Sequence, residues 1–368
     1  MNILSPIGAV YGRLMDVRNR LYDKGVLQSH ALGARTISVG NITAGGTGKT
    51  TLVGLIAEIL AERAEKVCIL TRGYGRKNPA ERVVVSDGEK VLSDAASGGD
   101  EPVELARKLS GKAVVIADAD RVSAAKWAKE NFGITVFVLD DGFQHRRAKR
   151  DLDIVCIDAT NPFGGGKVLP AGRLREPLEN LGRADVVVIT RADLADDIED
   201  LRSRISELNP DAAIFRSENR ISRVRTLEEF HAGLHIGSNK LPGEAGWDKL
   251  RAEGDPDNVD EEIRLMAFCA LGNPDGFFRQ LEVEFDKESR EEFDCGILKK
   301  FPDHHIYTQT DIELLEKQAK ECRMDAFLTT AKDAVKLKEL KFETPCYVVE
   351  IEPVISDADA FRKLIISS

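Results

Sequence analysis

The 368-residue sequence has no apolar run of 18 residues, so we do not expect an integral membrane protein. It has no CxxC pair and no zinc signature among its six cysteines, which predicts reduced cysteines in a cytosolic protein. Cys68, Cys156 and Cys346 lie in apolar, strand-like runs and are predicted core residues. The net charge of −10 argues against a general nucleic-acid binder. The N-terminus lacks the features of a secretory signal peptide.

Charge is distributed unevenly along the chain. Residues 1–35 carry five basic and two acidic side chains, and apolar residues recur there at helical spacing, so residues 5–22 are predicted to form an amphipathic helix. Residues 242–262 hold eight acids and two bases among glycines and prolines, which is typical of a linker or surface insertion. We therefore predict an acidic insertion near residues 231–262.

Short β-branched runs alternate with helical segments over most of the chain. This pattern predicts an α/β fold, with a P-loop NTPase-like, mostly parallel sheet core covered on both faces. The pattern changes after about residue 215 and resumes with the runs 264–270, 276–281, 325–329 and 346–351. We predict a core domain over residues 1–215 and a second, smaller α/β domain over residues 216–368.

A phosphate-binding loop is the clearest motif. Residues 43–50 read Thr-Ala-Gly-Gly-Thr-Gly-Lys-Thr, which matches G-x-x-x-x-G-K-[ST] except for Thr43 at the first glycine. The loop follows a predicted strand and precedes a predicted helix, as the motif requires. Its glycines let backbone N–H groups surround a phosphate, Lys49 can reach the β- and γ-phosphates, and Thr50 can bind Mg²⁺. The predicted nucleotide-binding residues are Thr43, Ala44, Gly45, Gly46, Thr47, Gly48, Lys49, Thr50 and Thr51.

A second acidic strand end accompanies this loop. The run Val136–Leu139 is apolar and is followed by Asp140 and Asp141. Carboxyl ends of parallel strands meet at the ligand crevice of such sheets, so this has the form of a Walker B site. The alternative is an aspartate that caps the next helix.

Seven spaced motifs together resemble the tetraacyldisaccharide 4′-kinase family, the lipid A 4′-kinases of Gram-negative bacteria. The resemblance covers residues 1 to about 355. Two departures are Thr51, where the family commonly has proline, and the longer connection at 231–262. The segments that carry it, in order, are 39–50, Thr-Arg-Gly-Tyr-Gly at 71–75, Gly-Gly-Asp-Glu-Pro at 98–102, Leu-Asp-Asp-Gly-Phe-Gln-His at 139–145, Pro-Ala-Gly-Arg-Leu-Arg-Glu-Pro at 170–177, Phe-Pro-Asp-His-His at 301–305 and Thr-Thr-Ala-Lys-Asp at 329–333.

The resemblance implies phosphorylation, by ATP and Mg²⁺, of the 4′-hydroxyl of a tetraacylated glucosamine disaccharide 1-phosphate, giving lipid IVA. It also implies a peripheral enzyme at the cytoplasmic face of the inner membrane. The partners we expect are the acylated disaccharide lipid and the membrane surface, with no nucleic acid and no obligate protein partner. The amphipathic start suits an anionic membrane surface, although the helix could instead pack on the core.

The resemblance further implies the roles of individual residues. It makes Asp100 the catalytic base, whereas the residues alone favour an N-cap for the following helix. It makes a histidine of residues 301–305 the partner of Asp100, for which we favour His304 over His305, and this pairing requires domain closure. We place Glu176 with Thr50 and Asp140 at the Mg²⁺ ion, although Glu176 could instead form an exposed salt bridge with Arg173 or Arg175. Asp141 belongs with Lys49 to the catalytic set, and it either lies behind the ligands of the ion or serves as an alternate ligand.

Several other groups keep two interpretations. Arg72 and the cluster Arg146, Arg147, Lys149 and Arg150 are candidates for binding the substrate phosphate or lipid headgroups, or they form a solvated basic face. The segments 190–193 and 329–333 weakly resemble the base-reading element of GTPases. On that resemblance Lys332 and Asp333 contact the nucleotide, and the alternative is that they cap a strand–helix turn. A GTPase-type switch or metal-chaperone regulator is the alternative function; a dinucleotide-dependent oxidoreductase fails because it leaves Lys49 and Thr50 without a role.

Overall fold

The computed structural model describes residues 5–232, 263–287 and 293–367. Two compact units make up the chain, Met1–Glu218 with Pro353–Ser368, and Asn219–Glu352. The C-terminal residues 353–368 thus differ from the sequence-based division, which placed them in the second domain. Arg35 holds them by donating hydrogen bonds to the carbonyls of Ile365 and Ile366. Most of the predicted acidic insertion, residues 233–262, lies outside the described residues.

Twelve strands occur in the described residues. They are β1 (Arg35–Asn41), β2 (Val67–Thr71), β3 (Val83–Asp87), β4 (Ala113–Ala117), β5 (Val136–Asp140), β6 (Leu152–Asp158), β7 (Val186–Thr190), β8 (Ala213–Thr226), β9 (Ile263–Cys269), β10 (Phe293–Lys300), β11 (Ala326–Thr330) and β12 (Cys346–Ile355).

The helices alternate with these strands, as the sequence pattern predicts. They are α1 (Ser5–Asp23), α2 (Lys49–Ala61), α3 (Ala95–Gly98), α4 (Asp100–Lys108), α5 (Arg121–Phe132), α6 (Ile198–Leu208), α7 (Leu227–Ala232), α8 (Pro274–Lys287), α9 (Gln309–Cys322), α10 (Ala331–Ala334) and α11 (Ala358–Ser367), with 3₁₀ turns at Leu178–Arg183 and Ala192–Leu194. No helix of the described segments has both the length and the apolar character needed to cross a membrane.

The first unit contains a sheet in the order β8-β7-β6-β1-β5-β2-β4-β3. Its strand pairs are parallel except β3 with β4, so the predicted mostly parallel sheet is confirmed. Strands β2, β4, β5, β6 and β7 are buried along their whole length, which explains why they read as continuous apolar runs. Because β1 lies between β5 and β6, the loops that follow β1 and β5 emerge side by side at the carboxyl edge.

The second unit contains strands in the order β10-β9-β11-β12-β8, with parallel β10–β9, β9–β11 and β11–β12 pairs. The run 276–281, which continued the strand-like pattern in the sequence, lies inside helix α8. Phe277, Phe278 and Leu281 are buried in one cluster, and their spacing places them on one helical face. Cys68, Cys156 and Cys346 are buried free thiols, as predicted.

Candidate active site

The phosphate-binding loop joins the end of β1 to the start of α2. Gly48 is the N-cap of α2 at φ 75°, a left-handed conformation that glycine adopts without steric cost. Outward contacts hold the loop: Asn41 Nδ2 lies 3.0 Å from Thr47 Oγ1, and Thr190 Oγ1 donates to the Thr47 carbonyl at 3.0 Å. In the part of the chain that the structure describes, the N–H groups of residues 45–48 have no partner, so they remain available to an anion.

Lys49, Asp141 and Arg175 form a charged cluster at this loop. Lys49 Nζ lies 3.5 Å from Asp141 Oδ1, and Arg175 Nη1 lies 2.7 and 2.8 Å from the two Asp141 oxygens. Burial opposes the charged form of Asp141, but Lys49 and Arg175 outweigh it and hold its pKa at about 2. Asp141 is therefore a carboxylate that fixes two cations beside the phosphate-binding loop.

Asp140 ends β5 and is almost fully buried. Thr71 Oγ1 lies 3.2 Å from its Oδ2 atom, while Oδ1 is buried without a hydrogen-bond partner among the described residues. Burial, followed by the charges of Glu101 and Asp141, raises the Asp140 pKa to about 6. A buried carboxylate oxygen that lacks a donor is a group that a hard cation satisfies well.

Glu176 is buried and its hydrogen-bonding capacity is filled. Its Oε1 accepts from Gln144 at 2.8 Å and from Arg183 at 3.1 Å; its Oε2 accepts from Asn19 and Arg183, both at 2.9 Å. A carboxylate has about four acceptor positions, and all four are used here. To bind Mg²⁺, as the sequence interpretation has it, Glu176 would have to give up one of these donors.

Asp100 is the first residue of α4 and is buried. The N-cap is Gly99, at φ 96°, so Asp100 does not occupy the cap position that the residues alone favoured. Gly99 lies against the 71–75 loop, because a Cβ built on it would lie 3.3 Å from the Gly73 Cα and the Tyr74 carbonyl. The N-terminal end of α4 favours a carboxylate electrostatically.

The two adjacent histidines of the second unit have different surroundings. His305 stacks on Phe301 with ring centroids 4.9 Å apart, and its Nε2 lies 3.1 Å from Asp311. His304 has φ 59°, and its Nε2 lies 3.8 Å from Asp303. His305 therefore has contacts within its own unit, with Phe301 and Asp311, while His304 lies near Asp303 in a left-handed conformation.

The remaining sequence candidates have mainly structural contacts. Asp333 is fully buried and accepts from Ala270 N at 3.0 Å and Thr330 Oγ1 at 2.8 Å, which supports the cap interpretation. In the basic cluster of residues 146–150, three arginines form ion pairs, Arg146 with Asp23, Arg147 with Asp120 and Arg150 with Asp153. These pairs favour a structural role over binding of a substrate phosphate.

Sequence reasoning missed several residues that support the site. Arg121 is buried and donates to the Asp140 carbonyl at 2.9 Å, and Arg191 donates to the Gly46 carbonyl at 3.1 Å. Arg121 lies in no motif, and Arg191 lies in the segment 190–193 but was not linked to the loop, because the partners of both residues are distant in sequence. Arg173 and Asn19 were missed as contacts for the same reason.

Helix α1 is docked through its small and polar side chains. Asn19 contacts Glu176, Asp16 accepts from Asn180 at 3.1 Å, and Gly8 and Gly12 lie against Val168. Four apolar side chains instead point to solvent, each more than half exposed: Ile7, Val10, Leu14 and Val17. These four residues form what we call the apolar stripe of α1.

Comparisons with known proteins identify the family of the chain. The family model described as tetraacyldisaccharide-1-P 4′-kinase matches residues 1–368. The tetraacyldisaccharide 4′-kinase of Halothermothrix orenii is 38% identical over 91% of this chain and 82% of its own, and that of Syntrophus aciditrophicus is 35% identical over 95% and 88%. The crystal structure of LpxK from Aquifex aeolicus in complex with ATP matches with a TM-score of 0.73 and 28% identity, over 99% of this chain and 97% of that one. The chain therefore belongs to the tetraacyldisaccharide-1-P 4′-kinase family.

Proposed function

We propose that the protein transfers the γ-phosphoryl group of ATP to the 4′-hydroxyl of a tetraacylated disaccharide 1-phosphate at the carboxyl ends of β1 and β5. Membership of the family makes it an ATP-dependent kinase of lipid A synthesis. The observation that carries the assignment of the site is the joining of Lys49, Asp141 and Arg175 at a loop whose N–H groups at residues 45–48 have no partner among the described residues. Such a cluster neutralises phosphate charge as it develops.

The residues present fit a magnesium ion. Thr50 lies in the first turn of α2, and the unpartnered Asp140 Oδ1 supplies a hard oxygen ligand. Mg²⁺ bound there would screen the charge of the β- and γ-phosphates. Residues 43–51 bind the nucleotide phosphates, Lys49 reaches the transferred group, and Asp141 keeps Lys49 in place.

Asp100 accepts the proton of the attacking sugar hydroxyl in this proposal. Its burial fixes the position of the side chain, and its place at the N-terminal end of α4 favours a carboxylate there electrostatically. The test is transfer of labelled γ-phosphate to the lipid by Asp100→Asn, with Asp211→Asn, an exposed site of the same unit, as the control. We expect Asp100→Asn to lose roughly 100-fold or more of kcat, and Lys49→Ala to lose transfer altogether. Parental kcat in either variant would contradict the proposal.

We assign His304, not His305, as the residue that orients Asp100. His304→Ala is expected to lower kcat and to shift the acidic limb of its pH profile. His305→Ala removes the contacts with Phe301 and Asp311, so it should lower the unfolding temperature more than it lowers kcat. The opposite result for the two variants would transfer the assignment to His305.

The apolar stripe of α1 supports a further part of the proposal, binding to the inner-membrane surface. Four exposed apolar side chains on a helix that is docked by its other face are unusual for a water-facing surface. The neighbouring Arg13, Arg20 and Lys24 are exposed and suit anionic headgroups.

Sedimentation with phosphatidylglycerol vesicles tests the membrane proposal. Leu14→Glu should reduce the pelleted fraction strongly, and Leu14→Ser should reduce it less, because only the first also adds a negative charge. Ser203→Glu, on the exposed face of α6, adds the same charge elsewhere and should pellet like the parent. Equal pelleting of all four proteins would contradict binding through α1.

A further inference from the structure

Arg173 lies against the phosphate-binding loop, and although it belongs to the 170–177 motif, none of the proposed roles uses it. The segment 173–175 runs alongside the loop: Ala44 N donates to the Arg173 carbonyl at 2.7 Å, and Arg175 N donates to the Ile42 carbonyl at 2.8 Å. Leu174 is buried, so Arg173 and Arg175 extend from the opposite side of this extended segment. Two arginines of one segment are thereby fixed to the loop by main-chain bonds.

The side chain of Arg173 is held in one place. Its Nε donates to the Ala44 carbonyl at 3.1 Å. A Cβ built on Gly164 would lie 2.6 Å from the Arg173 Cβ, and one built on Gly45 would overlap its Nη2 atom. The arginine therefore passes between two glycines, and its terminal nitrogens lie over Gly45 at the middle of the loop.

Arg173 differs from Lys49 and Arg175 in its charge partners within the described residues. Lys49 and Arg175 share the carboxylate of Asp141, whereas no acidic side chain forms an ion pair with Arg173 among the described residues. Arg173 is exposed, and in the described part of the chain Nε is the only nitrogen of its guanidinium with a hydrogen bond, which it donates to the Ala44 carbonyl. A fixed guanidinium with free N–H donors is the group that binds a phosphoryl oxygen in two places.

We propose that Arg173 binds the γ-phosphoryl group of ATP across the phosphate-binding loop, as an arginine supplied within the same chain. The inference rests on the proposed function, since it requires the nucleotide to occupy this loop. As the bond from the γ-phosphorus to the ADP oxygen breaks and the bond to the sugar oxygen forms, Arg173 stabilises the charge on the three equatorial oxygens. The hydroxyl proton leaves to Asp100, so Arg173 transfers no proton.

The test compares ATP with ADP, because only ATP carries the group that Arg173 would contact. For Arg173→Ala we expect kcat to fall roughly 100-fold or more, and the affinity for a non-hydrolysable ATP analogue to fall about tenfold, while the ADP affinity stays within about twofold. Arg173→Lys should recover part of kcat, and added guanidinium ion should partly rescue Arg173→Ala. Arg202→Ala, an exposed arginine on α6, is the control and should behave like the parent.

The results that would overturn the role of Arg173 differ from those that would overturn the proposed function. If Arg173 only stabilises the conformation of the loop, the affinities of Arg173→Ala for ADP and for the ATP analogue fall together and guanidinium ion gives no rescue. That result would overturn the inference. Gly164→Val provides a second variant, since it displaces the arginine without removing it and should reproduce the loss of kcat with ADP binding kept. An inactive Lys49→Ala beside a fully active Arg173→Ala would reject Arg173 alone, whereas an active Lys49→Ala would reject the proposed site.

Discussion

Replacing Glu176 distinguishes two roles of this residue, that of a metal ligand and that of a buried carboxylate that stabilises the fold (the anchor role). Glu176 accepts hydrogen bonds from Arg183, Asn19 and Gln144, and its almost fully buried carboxylate pairs with the guanidinium of Arg183 at 2.9 Å. Glu176→Gln keeps the shape of the side chain and removes its charge. Its amide nitrogen cannot accept the donors that now bind that oxygen, so about two buried N–H groups lose their acceptor.

The expected cost follows from these contacts. Breaking one partner of a buried ion pair costs about 3–5 kcal/mol, because the other charge stays buried without compensation. The conservative amide retains one acceptor, so we expect Glu176→Gln to lower the free energy of unfolding by about 3 kcal/mol. Replacing Arg183 by Met in the same protein should recover about 2 kcal/mol, since no unpaired charge then remains.

Urea unfolding followed by the fluorescence of Trp127 measures this cost. The sequence has two tryptophans, so Trp247→Phe leaves Trp127 of α5 as the reporter of the first unit. The Mg²⁺ concentration for half-maximal activity is measured on the same proteins. A loss of stability below 1 kcal/mol, together with a tenfold rise in that Mg²⁺ concentration, would refute the anchor role and support Glu176 as a metal ligand.

Three further predictions concern stability. Burial lowers the pKa of His145 in the folded protein to about 4, below that of the unfolded chain. As the pH falls, His145 is therefore protonated in the unfolded chain before it is protonated in the folded one. The folded protein has its full stability above about pH 6.5, and up to about 3 kcal/mol of it is lost as the pH falls to 4. Urea unfolding across this range should show a flatter profile for His145→Asn. Gly40→Ala should destabilise by about 3 kcal/mol, because its Cβ would lie 2.5 Å from that of Phe143, and thermal unfolding checks this. Asp333→Ala should lower the stability of the second unit by about 3 kcal/mol in the same assay. The reason is that the buried donors Ala270 N and Thr330 Oγ1 would lose their acceptor.

The sequence predicted the buried strands and the phosphate-binding loop, because both depend on residues that are close together in the chain. The buried strands of the first unit are recognisable in the sequence as short apolar runs, and the loop at residues 43–50 joins β1 to α2 as its motif requires. The run 276–281 was included in the strand-like pattern but forms part of helix α8, since a short apolar segment fits a buried strand and a helical face equally well. The return of residues 353–368 to the first unit could not be predicted, because it depends on Arg35, more than 300 positions away.

The site was predicted as a set of residues but not as a set of contacts. Lys49, Asp140 and Asp141 come together because parallel strands end at one edge, and that follows from topology. The partners of Glu176 and the position of Arg173 depend on side chains from segments far apart in sequence, which no spacing rule connects. Whether Asp100 is a base and whether Glu176 binds metal therefore stay predictions with defined tests.

The hydrogen bonds of α1 also decide how the membrane proposal has to be tested. Asn19 of α1 donates to Glu176, Glu176 accepts from Gln144, and the same Gln144 amide donates to the Asn41 carbonyl at 2.9 Å, at the start of the phosphate-binding loop. Deleting α1 would therefore leave Glu176 short of a donor and disturb nucleotide binding as well as membrane binding. Leu14→Glu lies on the exposed side of the helix and leaves this chain of bonds intact. If that variant loses vesicle binding but keeps parental kcat on detergent-dispersed lipid, the helix acts as a membrane contact, and its link to the loop is a separate, structural function.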